Sequence, residues 1–465
     1  MKQLICIVSF ITVFIVSGCK EESKRTSDSF TAIDRGNYQS GIISSIGGQP
    51  NIAKGEDGII AITYGDKEII YYSESKDGGE SFSEAEIVGT LEGLMLGYSS
   101  GPQIAITKDA LVITGSSKKG NLYAWSKERN KDTWKGPFRI NDIEKSAEEC
   151  LLAITSTNDG IFYSTWIDTR FLENSTQNSH SVMKEKHDTM SKTKKKEDDL
   201  NAMTPIGITR KQLYDKIGDV PESGYLFFHD DTEGNLLWVF KDDDGNVLKA
   251  ENEEAYKEFK RINGQRAKPK GKIYVSSSKD EGKTWSKSQL VYQSPDGSVC
   301  ECCKPSIKSD EDGNIAIMFR NNINGSRDLH FTKSTDNGTS FSVPQKLGSG
   351  TWKINGCPMD GGDFTNYGNN ELITVWQRDG IIYTANSDLS EQVISEGRSP
   401  SISGNLKSYS IVYTNGDEVM AIHEPMAMSE KIGNGTSAKI LSTENSVIYL
   451  WVSDKGIEYK KFNRI

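Results

Sequence analysis

The stretch Ser75-Lys76-Asp77-Gly78-Gly79-Glu80-Ser81-Phe82 returns twice, as Ser278-Lys279-Asp280-Glu281-Gly282-Lys283-Thr284-Trp285 and as Ser334-Thr335-Asp336-Asn337-Gly338-Thr339-Ser340-Phe341. All three follow the pattern Ser-x-Asp-x-Gly-x-(Ser/Thr)-aromatic. Short Ser and Asp side chains bond nearby backbone N–H groups, the glycine supplies a positive φ, and the aromatic ring packs beneath, so each copy reads as a rigid hairpin turn. Ser75, Asp77, Gly79 and Phe82, with Ser278, Asp280, Gly282 and Trp285, and Ser334, Asp336, Gly338 and Phe341, are therefore expected to be structural. A degenerate fourth copy runs from Ser126 to Trp134, with one residue too many.

Around these turns lies a longer repeat. Gln49-Pro50-Asn51-Ile52-Ala53, Gly101-Pro102-Gln103-Ile104-Ala105, Lys304-Pro305-Ser306-Ile307 and Ser399-Pro400-Ser401-Ile402 share a Pro-x-Ile start, and each leads into an alternating apolar run. CLLAIT from Cys150 and the segment opening at Cys357-Pro358-Met359-Asp360 fit more loosely. A period near fifty residues, at about four strands per unit, describes sheets that cannot bury both faces alone and must stack radially. The 43 glycines against 12 prolines agree with many tight turns. The fold class expected is an all-β propeller.

The three turns resemble the Asp-box, or BNR repeat, of the sialidase superfamily. That resemblance covers residues 38–465 and implies six blades, with the tail AKILSTENSVIYLWVSDKGIEYKKF completing the last one. Seven blades result if the tail is a unit of its own, completed by the early strand Gly41–Gly48. An insertion, 171–270, falls in blade three. Its first part, to Leu200, is lysine-rich and reads as a solvated loop. The rest reads as a small α+β subdomain with helices at ITRKQLYDKIG and ENEEAYKEFKRI and strands at YLFFHDD and NLLWVFKDDDGNVLKA. Asp242-Asp243-Asp244-Gly245-Asn246 lacks the following glutamate of a calcium loop and reads as a hairpin turn.

The chain opens with Lys2, an apolar run and Val16-Ser17-Gly18-Cys19, which resembles the lipobox of bacterial lipoproteins. Residues 1–19 are then a signal peptide, Cys19 carries the lipid, and 20–37 form a flexible tether. The location expected is the outer membrane or cell surface, with the membrane met through the anchor and the body a monomer. A net charge of −10 excludes a broad nucleic-acid surface.

In a propeller the loops entering each unit converge on an axial funnel, where a glycan or other small ligand would bind. Five cysteines fall in those loops: Cys150, Cys300, Cys302, Cys303 and Cys357. Three readings stay open: disulfides, for example Cys302 or Cys303 with Cys357; a soft-metal site for copper or zinc with Met359; or a vicinal redox disulfide. No cofactor is otherwise required.

The sialidase resemblance implies an arginine clamp on a substrate carboxylate, an acid/base aspartate, and a tyrosine nucleophile activated by a glutamate. Arg320, Arg327 and Asp360 are the catalytic candidates, with Arg170 and Arg378 as further clamp arginines and Tyr98, Glu149, Glu301 and Arg398 as substrate contacts. No arginine lies between Arg35 and Arg129, and the Arg-Ile-Pro motif is absent, so the triad is incomplete. Three functions follow as expectations: glycan binding or hydrolysis, a non-catalytic binding scaffold, or a thiol-based metal or redox protein.

Overall fold

The computed structural model describes residues 33–97, 99–170, 183–188, 209–217, 223–230, 236–241, 247–257, 271–354, 356, 358–368, 371–423 and 427–464. The signal, Cys19 and most of the tether lie outside them, as do Tyr98 and Cys357.

Seven four-stranded antiparallel sheets make the body. Their innermost strands are Gly48–Lys54, Gln103–Ile106, Leu152–Ser156, Ser306–Ser309, Gly362–Tyr367, Arg398–Gly404 and Thr436–Ser442, for blades one to seven. Each lies against the innermost strands of both neighbouring blades, closing a ring. The fold is a seven-bladed β-propeller, so the preferred expectation of six is corrected. The tail is a unit of its own rather than the completion of a sixth blade, with strands Thr436–Ser442, Ser446–Ser453 and Gly456–Arg464. Their fourth is the N-terminal strand Ile33–Ser44, which pairs antiparallel with Gly456–Arg464. Joining the two ends of the chain in one sheet pairs Gly456–Arg464 on both sides and leaves Ile33–Ser44 as the outermost strand of the blade.

The second strand of every blade is an apolar run, such as Ile60–Asp66 or Ser446–Ser453, and is almost wholly buried. It sits mid-sheet with neighbouring blades on both faces, so it loses the polar alternation of a half-exposed strand. Between blades the core is continuous: Ile60, Ile62 and Tyr64 of blade one pack with Ile448, Leu450 and Ile457 of blade seven.

The three repeated turns share one hydrogen-bond pattern. Ser75 Oγ donates to Asp77 Oδ1 at 2.7 Å and accepts from the Gly79 N–H at 2.7 Å, while Asp77 accepts from both the N–H and the hydroxyl of Ser81. Ser278, Asp280, Gly282 and Thr284 repeat it, as do Ser334, Asp336, Gly338 and Ser340. The glycines have φ of +91°, +82° and +75°. A Cβ on them would meet Ile448, Val112 and Tyr163 at 2.6, 2.6 and 2.9 Å, each on the preceding blade. The turns are therefore blade-to-blade contacts, away from the axis. The degenerate copy keeps its aromatic, since Trp134 packs on Tyr72 of blade one, but Ser126 donates to the Glu281 carbonyl of blade three.

The insertion leaves blade three between its second and third strands. It holds a four-stranded antiparallel sheet of Met183–Asp188, Ser223–Asp230, Leu236–Lys241 and Val247–Ala250, and a helix Arg210–Ile217. Thr209 and Gln212 cap that helix reciprocally. A further helical turn spans 253–257. Met183–Asp188 corrects the expectation of loop up to Leu200: pairing with Ser223–Asp230 satisfies backbone groups and needs no apolar side chains. The acidic hairpin turn 242–246 lies outside the described residues; the strands flanking it do pair.

Candidate functional site

Every blade contributes to an axial cavity of about 250 Å³, with Asn51, Gln103, Ala153, Ser306, Asp363, Ser401 and Lys439 among the lining residues. The variable residue of each Pro-x-Ile start lines the cavity together with flanking residues such as Ile52, Ile104, Ile307 and Pro400. Lys304, Lys308 and Asp360 add charge to the lining. A larger cavity of about 500 Å³ opens where the innermost strands leave the axis, lined by Asp310, Asn366, Asn405 and Thr443, and Lys308 lines both.

The charges of the axial cavity are unevenly matched. Lys308 pairs with Asp363 at 3.3 Å. Asp363 also accepts from the Ser401 hydroxyl at 2.9 Å and the Ile402 N–H at 3.2 Å. Burial alone would raise the Asp363 carboxyl; Lys308, the Ile402 N–H and Lys439 outweigh it and hold the group below the usual range. Asp360 is pushed the other way, upward by burial, with its carboxylate accepting from the Ser399 N–H at 2.8 Å. Lys304 reaches across to the neutral Gln103 Oε1 at 2.8 Å, and Lys439 makes no ion pair within 4 Å among the described residues. Burial first, and the Lys439 charge second, push the Lys304 ammonium down to about 7. Burial likewise depresses Lys439.

Asp360 thus stands on the axis where the sequence placed it. Arg320 does not. It is 1% exposed, and its guanidinium donates to the carbonyls of Asp360, Arg327 and Gln377 at 3.0, 2.6 and 2.9 Å. With those donors taken it fixes loops and cannot clamp a ligand, which corrects its catalytic assignment. Arg170 is bound to Asp168 and Asp142, and Arg378 to Glu391, so neither is available as a clamp. Arg398, at the start of its strand, and Glu149, in its loop, are exposed. Glu301 accepts from the Gly271 N–H and the Ser298 hydroxyl, both at 2.9 Å, which ties its loop to the start of the strand Lys272–Ser278.

Beside the axis the structure gathers three of the five thiols. Sγ of Cys300 lies 3.7 Å from that of Cys302 and 3.6 Å from that of Cys303, with Cys302 and Cys303 3.9 Å apart. Cys150 stays out of the group, its thiol donating to the Ser117 carbonyl at 3.1 Å, and burial raises it to about 11. Cys302 is disulfide-bonded, whereas Cys300 and Cys303 are free. The sequence missed Lys304, Lys308, Lys439 and Asp363. The signal for two of them was available, since Gly362-Asp363-Phe364 and Ala438-Lys439-Ile440 occupy the Pro-x-Ile register without the proline.

No family model matches the chain, and no curated protein matches it. Solved structures do resemble it. A lectin from Burkholderia pseudomallei is 9% identical over 90% of this chain and 96% of its own, with a TM-score of 0.48. A virginiamycin B lyase from Staphylococcus aureus is 11% identical over 92% and 99%, with a TM-score of 0.44. An intramolecular trans-sialidase from Ruminococcus gnavus is 10% identical over 91% and 95%, with a TM-score of 0.38. All three scores fall below one half, and the fold rests on the chain's own strand pairings.

Proposed function

We propose that the axial cavity binds an acidic sugar unit of a glycan. The reading is carried by one observation: three lysines, Lys304, Lys308 and Lys439, face two carboxyls, and burial pushes one of these, Asp360, toward its neutral form. Burial depresses Lys304 and Lys439, which make no ion pair within 4 Å among the described residues, and an anionic ligand would supply the counter-charge that they lack. Gln103, Asn51 and Ser401 supply neutral hydrogen-bonding groups for hydroxyls. The lipobox supports placing this cavity on a lipid-anchored monomer at the outer membrane or cell surface, tethered through Cys19.

Calorimetry with uronic acids, sulfated sugars and their neutral counterparts tests the reading. Binding of the acidic members alone is expected; equal binding of the neutral ones would discard it.

Hydrolysis is a second reading, favoured by the opposite shifts of two carboxyls on one cavity. Asp360 would give the proton and ionised Asp363 would act as its partner. Release of a fluorophore from an acidic glycoside, abolished in Asp360→Asn, supports it; binding without turnover across the panel returns the protein to a lectin-like role.

A further inference from the structure

The sulfur cluster lies outside that function and has chemistry of its own. Cys300 and Cys303 are buried, while Cys302 is partly exposed and already disulfide-bonded. Arg327 bears on Cys300, makes no ion pair with a carboxylate within 4 Å among the described residues, and its Nε is buried with no hydrogen-bond partner. A partly buried guanidinium without a carboxylate partner stabilises an anion beside it, and here that anion is a thiolate.

We propose that Cys300, Cys302 and Cys303 form a thiol–disulfide exchange centre in which the Cys300 thiolate attacks Sγ of Cys302. A new Cys300–Cys302 bond forms, the bond between Cys302 and its present partner breaks, and that partner leaves with the electron pair as a thiolate. Electrons balance within the chain, so neither oxidant nor reductant is consumed. The starting separation of 3.7 Å must close to about 2.05 Å in this step. Two further features single out Cys300. A hydrogen bond from Cys303, then the charges of Arg327 and Arg320, bring the Cys300 thiol down to about 7 against the pull of burial. Burial raises Cys303 well above its usual value, so it stays protonated and serves as hydrogen-bond donor.

The exchange reports to the axial cavity through the backbone. The Asp360 N–H bears on Cys303, and the Asp360 carbonyl accepts from Arg320 Nε. Moving the disulfide from one sulfur to another therefore disturbs the loop that carries an axial carboxyl.

The test is disulfide mapping of the full chain by mass spectrometry, with acid quenching and alkylation after incubation from pH 6 to 9. Two species are expected, Cys302 with its present partner and Cys300–Cys302, the second forming faster as pH rises through 7. Cys300→Ser should lose the second species, and Cys303→Ser should retain it. Arg327→Gln should move the pH midpoint of its formation upward, a readout that a merely structural arginine would leave unchanged. A single Cys302 pairing at every pH, or an unchanged mixture in Cys300→Ser, overturns the proposal. So does a stoichiometric copper or zinc ion on the three sulfurs of the purified chain, since metal-bound thiolates would not exchange.

Discussion

Lys304 has a pKa near 7, against about 10.4 for an exposed lysine. Below pH 7 it is protonated in the folded and unfolded chains alike, and burying that charge opposes folding. Between pH 7 and about 10.4 only the unfolded chain holds the proton, so this residue's contribution makes the ligand-free protein more stable as pH rises. Ligand binding runs the opposite way, because an anion needs the protonated form. Affinity for an acidic sugar should fall by up to about tenfold per pH unit above 7, with proton uptake visible as buffer-dependent heat in calorimetry. In Lys304→Met the affinity drops and that dependence flattens; an unchanged profile would remove Lys304 from the site. Arg320 makes a contrasting case, as its role is to satisfy carbonyls. Arg320→Met leaves those of Asp360, Arg327 and Gln377 short of a donor and should cost about 3 kcal/mol in urea unfolding. A loss below the error of the measurement would mean that water replaces it.

Among the elements, the repeated turns allow strain to be separated from contact. Gly78 and Gly282 both have positive φ, yet a Cβ at Gly78 meets nothing within 4 Å, whereas one at Gly282 lands 2.6 Å from Val112. Gly78→Ala should cost about 1 kcal/mol, the strain of the left-handed backbone. Gly282→Ala adds a clash with a stiff, fully buried β-branched side chain and should cost roughly 2–4 kcal/mol by thermal unfolding. Equal losses would show that the turns do not brace neighbouring blades. These turns and the Pro-x-Ile starts were legible in the sequence because both are local: the hydrogen bonds span four residues, and the strand alternation spans two. The blade count was harder to read, since blade seven opens on Ala438-Lys439-Ile440 without the proline and takes its last strand from the far end of the chain. The site was legible only in part. Asp360 and the thiols stood out by residue type, but Lys439 owes its character to the six other strands around the axis, and Arg320 to carbonyls 7, 40 and 57 residues away.

For the whole molecule, everything at the axis depends on the ring staying closed, and closure is made in blade seven. Ile33–Ser44 covers the full length of Gly456–Arg464, with Tyr38 5.7 Å from Phe462 between ring centres and Lys460 3.9 Å above the Tyr38 ring. The two backbones come close at Gly41, where a Cβ would stand 2.8 Å from the Tyr459 ring. Removing Ile33–Ser44 uncovers a nine-residue edge strand with unpaired backbone groups beside Tyr459 and Phe462, a template for pairing with another chain. A chain beginning at residue 45 should melt on the order of 5 °C lower. It should also associate with rising concentration in size-exclusion chromatography, and lose affinity for the acidic sugar as blades one and seven part beside Lys439. A synthetic peptide of residues 33–44 should restore all three by refilling the edge. If the shortened chain stays monomeric and binds normally, the closure lies in the apolar contact of Ile60 and Ile62 with Ile448 and Leu450, and the N-terminal strand is a cover rather than a clasp.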